Sequence, residues 1–142
     1  MEQKLLVKEY KNLTLYMPEI KSRTANSESA DQISCIALFK HKYPSAKIVA
    51  TVNERNSSDR DMAKLKRQGL VKGFPDLSIF HNGDAYFIEM KKSAATPSAI
   101  KPDQVIQLNE LQDQGFEVAV CFGLPAFEQK IGEWLIDEWF ND

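Results

Sequence analysis

The sequence predicts an α/β fold in which a central mixed β-sheet is flanked by helices on both faces. Apolar periodicity changes along the chain in the order helix, strand, basic segment, hairpin, helix, strand, helix, which is typical of layered folds. Two apolar runs are joined by Asn82-Gly83, a strong signal for a two-residue hairpin turn. The second run, residues 85–88, is apolar on both faces, as expected for a central covered strand.

Length and composition predict a single soluble domain. The 142 residues, of which 43% are hydrophobic and 27% charged, are ordinary for one globular domain spanning residues 1–142. The net charge of −2 argues against a generally basic nucleic-acid-binding protein, so such binding would need a local patch. No apolar run approaches the roughly 20 residues of a membrane span, and the first residues lack a secretory signal. We therefore expect a cytoplasmic protein with no membrane partner.

The cysteines and histidines give no signal for a zinc or thiol site. Cys35 and Cys121 lie in apolar runs and lack CxxC spacing, which predicts buried free thiols in a reducing compartment. His41 and His81 are isolated, and we expect neither to be catalytic. Without Cys-rich or His-rich spacing, the sequence argues against zinc.

Residues 1–25 are the hardest part of the chain to interpret. Short alternations at Leu5 and Val7, and again at Leu13 and Leu15, are consistent with edge strands or with an N-terminal arm. Residues 21–26 have the composition of a loop. We expect this segment to lie outside the part of the chain that carries function.

Residues 28–42 are predicted to form a helix that ends at Tyr43-Pro44. Its apolar residues at near-helical spacing are Ile33, Ile36, Ala37 and Phe39. The candidate N-caps are Asn26, Ser27 and Ser29, and Ser29 with Gln32 fits a capping box. From spacing alone, Glu28 is either a helix N-terminal acid favoured by the helix dipole or a carboxylate directed at a site.

A strand and a polar segment follow. Residues 47–53 are rich in β-forming residues. Residues 54–72 carry six basic and three acidic side chains, and residues 58–68 have helical composition with Met62 and Leu65 on one stripe. Gly69 is a plausible C-cap residue. Such a charged helix is either a solvated face or a surface that contacts phosphates, and the sequence leaves both readings open.

Residues 73–91 carry the candidate site. Asp76 begins the first strand of the predicted hairpin, whereas Glu89 and Lys91 end the second. Because antiparallel strands place the start of one beside the end of the other, the turn brings all three residues together. Side chains alternate with period two, so Glu89 and Lys91 share a face. Charges at the end of a covered strand are costly unless they are paired or bind a metal.

The remaining elements complete the sheet and its helices. A helix from Pro102 to Gly115 has an apolar stripe of Val105, Leu108 and Leu111. Gln104 shares that buried face, where it is either satisfied by the backbone or reaches a site. Residues 117–122 are predicted to form a strand, and residues 125–140 are predicted to form a C-terminal amphipathic helix. The apolar residues of this last helix are Phe127, Ile131, Trp134 and Leu135, and its acids are Glu128, Glu133, Asp137 and Glu138.

The order and spacing of these residues resemble the PD-(D/E)XK nuclease superfamily and, within it, the VRR-NUC family. The matching pieces are Pro75-Asp76, then Glu89-Met90-Lys91, then Gln104 on the following helix. Glu28 and Gln32 on the leading helix also fit, as does the stretch from residues 52–55 to Gly73. The resemblance covers roughly residues 28–123, implies a restriction-endonuclease-like fold, and makes these residues the catalytic core.

The resemblance implies a role for each site residue. Asp76, Glu89 and the Met90 carbonyl would bind a divalent cation, Mg²⁺ or Mn²⁺, and Glu28 would bind it directly, through water or at a second site. Lys91 would orient or activate the attacking water and stabilise developing charge. Gln104 would hold Lys91 or the scissile phosphate. Hard cations of this kind prefer oxygen ligands and neutralise an anionic phosphodiester.

The function implied is a DNA endonuclease acting in repair, recombination or phage replication, in a bacterium or a phage-infected host cell. Compact members of this family often look like homodimers acting on branched DNA such as four-way (Holliday) junctions, and from that resemblance we hold this substrate as a hypothesis. The residues expected to contact DNA are Arg55, Arg60, Lys64, Arg67, Lys72 and Lys92. The alternative is a non-catalytic nucleic-acid-binding or assembly module on the same scaffold. Loss of Asp76, Glu89 or Lys91 would mark that alternative, and all three are present.

Overall fold

The computed structural model describes residues 5–19, 27–52 and 58–135. The strands are β1 Leu5–Tyr10, β2 Leu13–Pro18, β3 Lys47–Ala50, β4 Leu77–His81, β5 Asp84–Lys91 and β6 Glu117–Phe122. The helices are α1 Glu28–Lys42, α2 Asp59–Arg67, α3 Pro102–Asp113 and α4 Leu124–Trp134, with a short 3₁₀ helix at Pro97–Ala99. Within the described ranges, no helix is both long enough and apolar enough to cross a membrane.

All the described strands form one mixed sheet, in the order β1-β2-β6-β5-β4-β3. β6 pairs in parallel with both β2 and β5, whereas the other pairs are antiparallel. One face of the sheet packs on α1 and α4 through a core that includes Phe39 and Phe127. The other face packs on α3 through a core that includes Leu108 and Phe87. This confirms the predicted α/β fold class, with helices on both faces and β5 in the interior of the sheet.

The N-terminal strands differ from the prediction. β1 and β2 form a hairpin whose turn residues, Lys11 and Asn12, have φ of 49° and 66°. β1 lies at the edge of the sheet, as expected, but β2 is an interior strand whose Leu13 and Leu15 are fully buried. The interpretation as an arm or as edge strands is therefore wrong for β2, because its parallel partner, β6, is about a hundred residues away and gives no local signal. The predicted loop at 21–26 and the candidate N-cap Asn26 lie outside the described residues.

Helix α1 has the predicted bounds but a different buried face. Ser27 caps it, with the Ser27 hydroxyl accepting a hydrogen bond of 3.1 Å from the Ala30 N–H, so the capping box built on Ser29 and Gln32 is wrong. The buried residues recur every four positions and are Asp31, Cys35 and Phe39. Ile33 lies two positions from both Asp31 and Cys35, about 200° around the helix. It is consequently 71% exposed, contrary to its predicted place on the apolar stripe.

The charged helix α2 forms where the sequence predicts one. Ser58 caps its start, and its last turn closes with Gly69 N–H to Lys66 O and Leu70 N–H to Leu65 O, the hydrogen bonds of a Schellman motif. Gly69 has the φ of +108° that this motif requires. Met62 and Leu65 are only half-buried, and no residue of the helix is fully buried. The helix therefore lies on the surface with its charges in solvent.

Two predicted boundaries are wrong. β3 ends at Ala50, before the predicted residue 53, and residues 53–57, including Arg55, lie outside the described part of the chain. α4 ends at Trp134, because Leu135 has the extended φ and ψ of −119° and 135°. The helix predicted to reach residue 140 therefore ends at Trp134 within the described residues, and residues 136–140, including Asp137 and Glu138, lie outside them.

Candidate metal centre

The β4–β5 hairpin brings Asp76, Glu89 and Lys91 together as the sequence predicts. Asn82 and Gly83 form the two-residue turn with φ of 50° and 84°, the double positive φ of a type I′ turn. The resulting register pairs Leu77 with Ile88, so one step further from the turn Asp76 lies opposite Glu89. The Met90 N–H, which lies beyond the last paired residue of β4, donates a hydrogen bond of 2.8 Å to the Asp76 Oδ2 atom.

Glu89 and Lys91 lie on the face of β5 that is covered by α3. They continue the row begun by Phe87, which packs in the same core as Leu108 of α3. Glu89 is 1% exposed and Lys91 6%, and the Lys91 Nζ lies 3.5 Å from the Glu89 Oε2 atom. Both side chains are therefore buried, and their charged forms require compensation from neighbouring groups.

Helix α3 supplies the partner of Lys91. The Lys91 Nζ donates a hydrogen bond of 2.9 Å to the Gln104 Oε1 atom. The same oxygen accepts a second hydrogen bond, also 2.9 Å, from the Lys101 N–H at the N-terminus of the helix. Gln104 thus satisfies both of the alternatives that its sequence position left open, backbone capping and contact with the site.

Glu28 completes the cluster from the opposite face of the sheet. It is the first residue of α1, and Ser27 fixes that helix end by capping it. In the described part of the chain, Glu28, Asp76 and Glu89 form the group of acidic side chains that could hold a metal ion, since one oxygen of each lies within 4.8 Å of the others. The Met90 carbonyl, also expected as a ligand, belongs to the residue between Glu89 and Lys91 on β5.

The electrostatics of the cluster favour a bound cation. Three carboxylates face one ammonium group, and the two oxygens of Glu89 are buried without a hydrogen-bond donor. Burial, the negative charge of Asp76 with its side-chain hydrogen bond to the protonated form of Glu89, and the negative charge of Glu28 together raise the pKa of Glu89 to about 9, although the Lys91 ammonium group opposes the shift. An ionised carboxylate in such surroundings needs a positive charge. The oxygen-rich donor set suits a hard divalent cation, so the residues fit the metal that the sequence resemblance implies.

An open cleft of about 980 Å³ leads to the cluster. Its lining includes Glu28 and Asp76, together with Ser27, Ser29, Gln32, Ile33, Ile36, Thr51 and Lys92. No local sequence pattern predicts a place for Thr51 at the site, because its position depends on the pairing of β3 with β4. Ile33, one of the apolar residues at near-helical spacing in α1, is exposed and lies on the cleft wall.

The predicted DNA-binding residues divide into three groups. Lys92 lines the cleft. Arg60, Lys64 and Arg67 are exposed on α2 and are not among the cleft residues, whereas Lys72 is also exposed and forms an ion pair of 3.3 Å with Asp103. Arg55 lies outside the described residues. The cleft and the basic helix are therefore separate features of the described surface.

The cysteines and His81 lie where their sequence positions predict. Cys35 and Cys121 are buried free thiols, and burial raises the pKa of Cys35 to about 12, so that it stays protonated at neutral pH. The His81 Nε2 atom lies 3.2 Å from the Asn82 Nδ2 atom beside the turn, at the end of the hairpin remote from Asp76.

Comparisons with known proteins identify a family and a fold. A family model described as the VRR-NUC domain matches residues 26–124. A solved structure named "VRR_NUC domain protein" has a TM-score of 0.63 and 22% sequence identity, covering 79% of this chain and 90% of its own. Another, named "VRR_NUC domain", has a TM-score of 0.53 and 18% identity, covering 76% of this chain and 97% of its own. A search of curated proteins gives no significant match.

Proposed function

The chain belongs to the VRR-NUC domain family, and we propose that it is a metal-dependent DNA endonuclease of the PD-(D/E)XK type. It hydrolyses phosphodiester bonds with Mg²⁺ or Mn²⁺. One observation carries this proposal: three carboxylates from α1, β5 and the start of β4 converge next to a buried lysine at the end of an open cleft. We assign the catalytic core to residues 28–123 within a single domain of residues 1–142.

Each site residue has a task in the proposed reaction. Glu28, Asp76, Glu89 and the Met90 carbonyl hold the cation, which when bound neutralises phosphodiester charge and lowers the pKa of water. Lys91 orients the attacking water and stabilises the charge that develops on the phosphate. Its ammonium group is suited to this because two oxygens, from Glu89 and Gln104, fix its position.

In the proposed reaction, the Gln104 side chain connects helix α3 to the Lys91 ammonium group. Its side-chain oxygen is shared by the Lys101 N–H and the Lys91 Nζ. A shift of α3 would therefore move Lys91 relative to the two carboxylates on the hairpin. Small displacements of a catalytic group reduce reaction rates strongly, so the two hydrogen bonds of Gln104 support efficient cleavage by holding Lys91 in place.

DNA would approach along the cleft. Lys92 lies in its wall next to the carboxylate cluster, where it can contact a phosphate adjacent to the bond that is cleaved. The basic residues of α2, namely Arg60, Lys64 and Arg67, would contact more distant phosphates, as would Lys72; Arg55 stays a proposed DNA contact outside the described residues. The small net charge of −2 makes this local distribution important, because the chain as a whole does not attract DNA.

We further propose that the enzyme acts as a homodimer on branched DNA such as four-way junctions. The chain's resemblance to compact nucleases supports this, because a two-fold dimer presents two active sites to strands related by the same symmetry. Symmetric nicking of a junction requires that arrangement.

A cleavage panel tests the proposed function. Labelled four-way junctions, flaps and linear duplex are incubated with Mg²⁺ or Mn²⁺, and in parallel with a chelator. We expect junctions to be cut fastest and the chelator to stop cleavage. Equal cleavage of all three substrates would remove the structure-specific part of the proposal.

The variant Glu89→Gln separates an enzyme from a binding module. We expect it to lose cleavage while retaining DNA binding in a gel-shift assay, because the substitution preserves the shape of the side chain and removes its charge. Glu110→Gln, on the exposed surface of α3, is the matched control and should cleave like the wild type. DNA binding by the wild type without cleavage of any substrate would favour the non-catalytic alternative.

A further inference from the structure

Thr51, the residue directly after β3, contacts the start of β4 with both its backbone and its side chain. Its N–H donates a hydrogen bond of 2.8 Å to the Asp76 carbonyl oxygen. Its hydroxyl donates one of 2.7 Å to the Pro75 carbonyl oxygen. The residue also lines the cleft in which Asp76 lies. One residue therefore fixes the two peptide carbonyls on either side of the Asp76 Cα atom.

The position of this contact follows from strand pairing. Ala50 is paired with Leu77, so Thr51 comes opposite Asp76 at the point where the regular ladder ends. Beyond that point the backbone hydrogen bonds of the sheet no longer hold the chain. The Thr51 hydroxyl extends the pairing by one residue, to Pro75.

Asp76 is consequently held from two sides. On the β3 side, Thr51 fixes its backbone, and on the β5 side the Met90 N–H fixes the Oδ2 atom of its carboxylate. The contacts with Thr51 fix the position of the Asp76 Cα atom, and the contact with Met90 fixes the position of the Asp76 carboxylate. If the Pro75 carbonyl lost its donor, the peptide could rotate and the carboxylate would change its position relative to Glu28 and Glu89.

We propose that Thr51 is a positioning residue for Asp76, whose hydroxyl directs the Asp76 carboxylate into the metal cluster. The inference deepens the proposed function and rests on it in so far as a cation occupies that cluster. Groups that orient metal ligands without touching the metal typically contribute about 10-fold to 100-fold in metal affinity. Thr51 therefore contributes to metal binding without being a ligand.

The variant Thr51→Val tests this inference, since it replaces the hydroxyl by a methyl group of similar size and keeps the backbone hydrogen bond. Thr51→Ser restores the hydroxyl. Thr14→Val is the matched control, because Thr14 also donates its hydroxyl to a nearby oxygen, Glu9 Oε1 at 3.0 Å, but lies on β2 across the sheet. Thermal unfolding of all three variants verifies that each one is folded.

The first measurement needs no metal. Hydrogen exchange of the Met90 amide, followed by NMR in the presence of a chelator, reports the hydrogen bond to Asp76. We expect exchange to be about tenfold faster in Thr51→Val, because displacement of the carboxylate weakens that bond by an amount typical of one hydrogen bond. Thr51→Ser and Thr14→Val should exchange at the wild-type rate.

The second measurement is a Mn²⁺ titration. We expect Thr51→Val to bind Mn²⁺ about tenfold more weakly, Thr51→Ser to restore the affinity, and Thr14→Val to leave it unchanged. In an Asp76→Asn background, adding Thr51→Val should have no further effect, because the hydroxyl acts through that carboxylate.

The outcomes separate this inference from the proposed function. Unchanged exchange at Met90, or unchanged Mn²⁺ affinity in a wild type that binds the ion, would overturn the role of Thr51. The same loss in Thr51→Ser as in Thr51→Val would also overturn it, since the hydroxyl would then be irrelevant. If the wild type bound no Mn²⁺ while exchange at Met90 still responded, the proposed function would fail and the positioning of Asp76 by Thr51 would stand.

Discussion

At the scale of single residues, the main energetic problem is the Glu89 carboxylate. It is 1% exposed, its two oxygens lack a hydrogen-bond donor, and the Lys91 Nζ is 3.5 Å away. The Lys91 ammonium group forms an ion pair with Glu89 and also donates a hydrogen bond to the Gln104 Oε1 atom. Burial and the neighbouring carboxylates therefore make the ionised form of Glu89 unfavourable unless a further positive charge is present, and a cation would be most stabilising at this position.

This burial predicts an unusual pH dependence for the metal-free protein. The pKa of Glu89 rises from 4.5 to about 9, so folding favours its protonated form. The favourable contribution of such a group is present below its unfolded pKa and is lost as the pH rises through the folded pKa. Between pH 5 and pH 9, with a chelator present, we expect the melting temperature of the wild type to fall relative to that of Glu89→Gln. Glu110→Gln should follow the wild type, and parallel curves for wild type and Glu89→Gln would contradict the prediction.

The adjacent lysines allow a second residue-scale prediction. Lys91 is buried against the cluster, whereas Lys92 is exposed on the cleft wall. We expect Lys91→Ala to remain folded and to lose cleavage by at least about 100-fold, as when a donor to the transition state is removed. Lys92→Ala should instead weaken DNA binding and retain most of the cleavage rate at saturating DNA. Circular dichroism and single-turnover kinetics check both, and an unfolded Lys91→Ala protein would show that Lys91 is structural.

Among the elements, helix α2 combines four basic and two acidic side chains with little packing. None of its residues is fully buried, and its ends are closed locally by Ser58 and by the turn at Gly69. Its stability therefore depends on local capping and on helix propensity rather than on the core. Substitutions on its surface can change DNA binding without disturbing the fold.

The corresponding prediction concerns Arg60, Lys64 and Arg67. Replacing all three by alanine should preserve the helix, since alanine is the best helix former, and should weaken DNA binding. If each side chain contacts one phosphate, the slope of log affinity against log salt should fall by about 2 to 3. The matched control replaces Lys8, Lys11 and Lys40, three exposed lysines on the β1–β2 hairpin and near the end of α1 that is remote from Glu28. An unchanged slope in the α2 variant would place the DNA path elsewhere.

At the scale of the whole molecule, local signals predicted the centre of the site but not its surroundings. A two-residue turn and a period of two were enough to bring Asp76, Glu89 and Lys91 together, because their contacts depend on one hairpin. The approach of Glu28 depends on how α1 crosses the sheet, and only the family resemblance indicated it. The role of Thr51 depends on how β3 pairs with β4. The paired residues of these two strands are more than twenty positions apart in the sequence, so no local pattern predicts the pairing.

The order of the strands in the sheet also depends on contacts between distant parts of the sequence. β2 lies between β1 and β6, and its parallel pairing joins Leu15 to Val120. No local pattern specifies a contact over such a distance in the sequence. The first two strands can therefore be predicted as strands, but their positions in the sheet cannot. The end of α4 at Leu135 is not predictable for a related reason: Leu135 continues the apolar pattern of the helix, whereas its backbone is extended.

Because the cluster collects ligands from three elements, metal binding should stabilise the whole fold. A cation held by Glu28, Asp76 and Glu89 joins α1 to both strands of the hairpin and removes the charge imbalance of the metal-free state. A ligand at 100 times its dissociation constant stabilises the folded state by about 2.7 kcal/mol. For a chain of 142 residues we therefore expect Mn²⁺ to raise the melting temperature by roughly 5–10 °C, reversibly with a chelator.

The double variant Asp76→Asn, Glu89→Gln isolates the cluster from general ionic effects. It keeps the shape of both side chains and removes two of the three ligand charges, so Mn²⁺ should leave its melting temperature unchanged to within about 1 °C. A control with Glu110→Gln and Glu117→Gln removes the same number of charges from exposed positions and should respond to Mn²⁺ like the wild type. An equal shift in the wild type and in the Asp76→Asn, Glu89→Gln variant would mean that the ion binds elsewhere, and the three carboxylates would then need another explanation for their convergence.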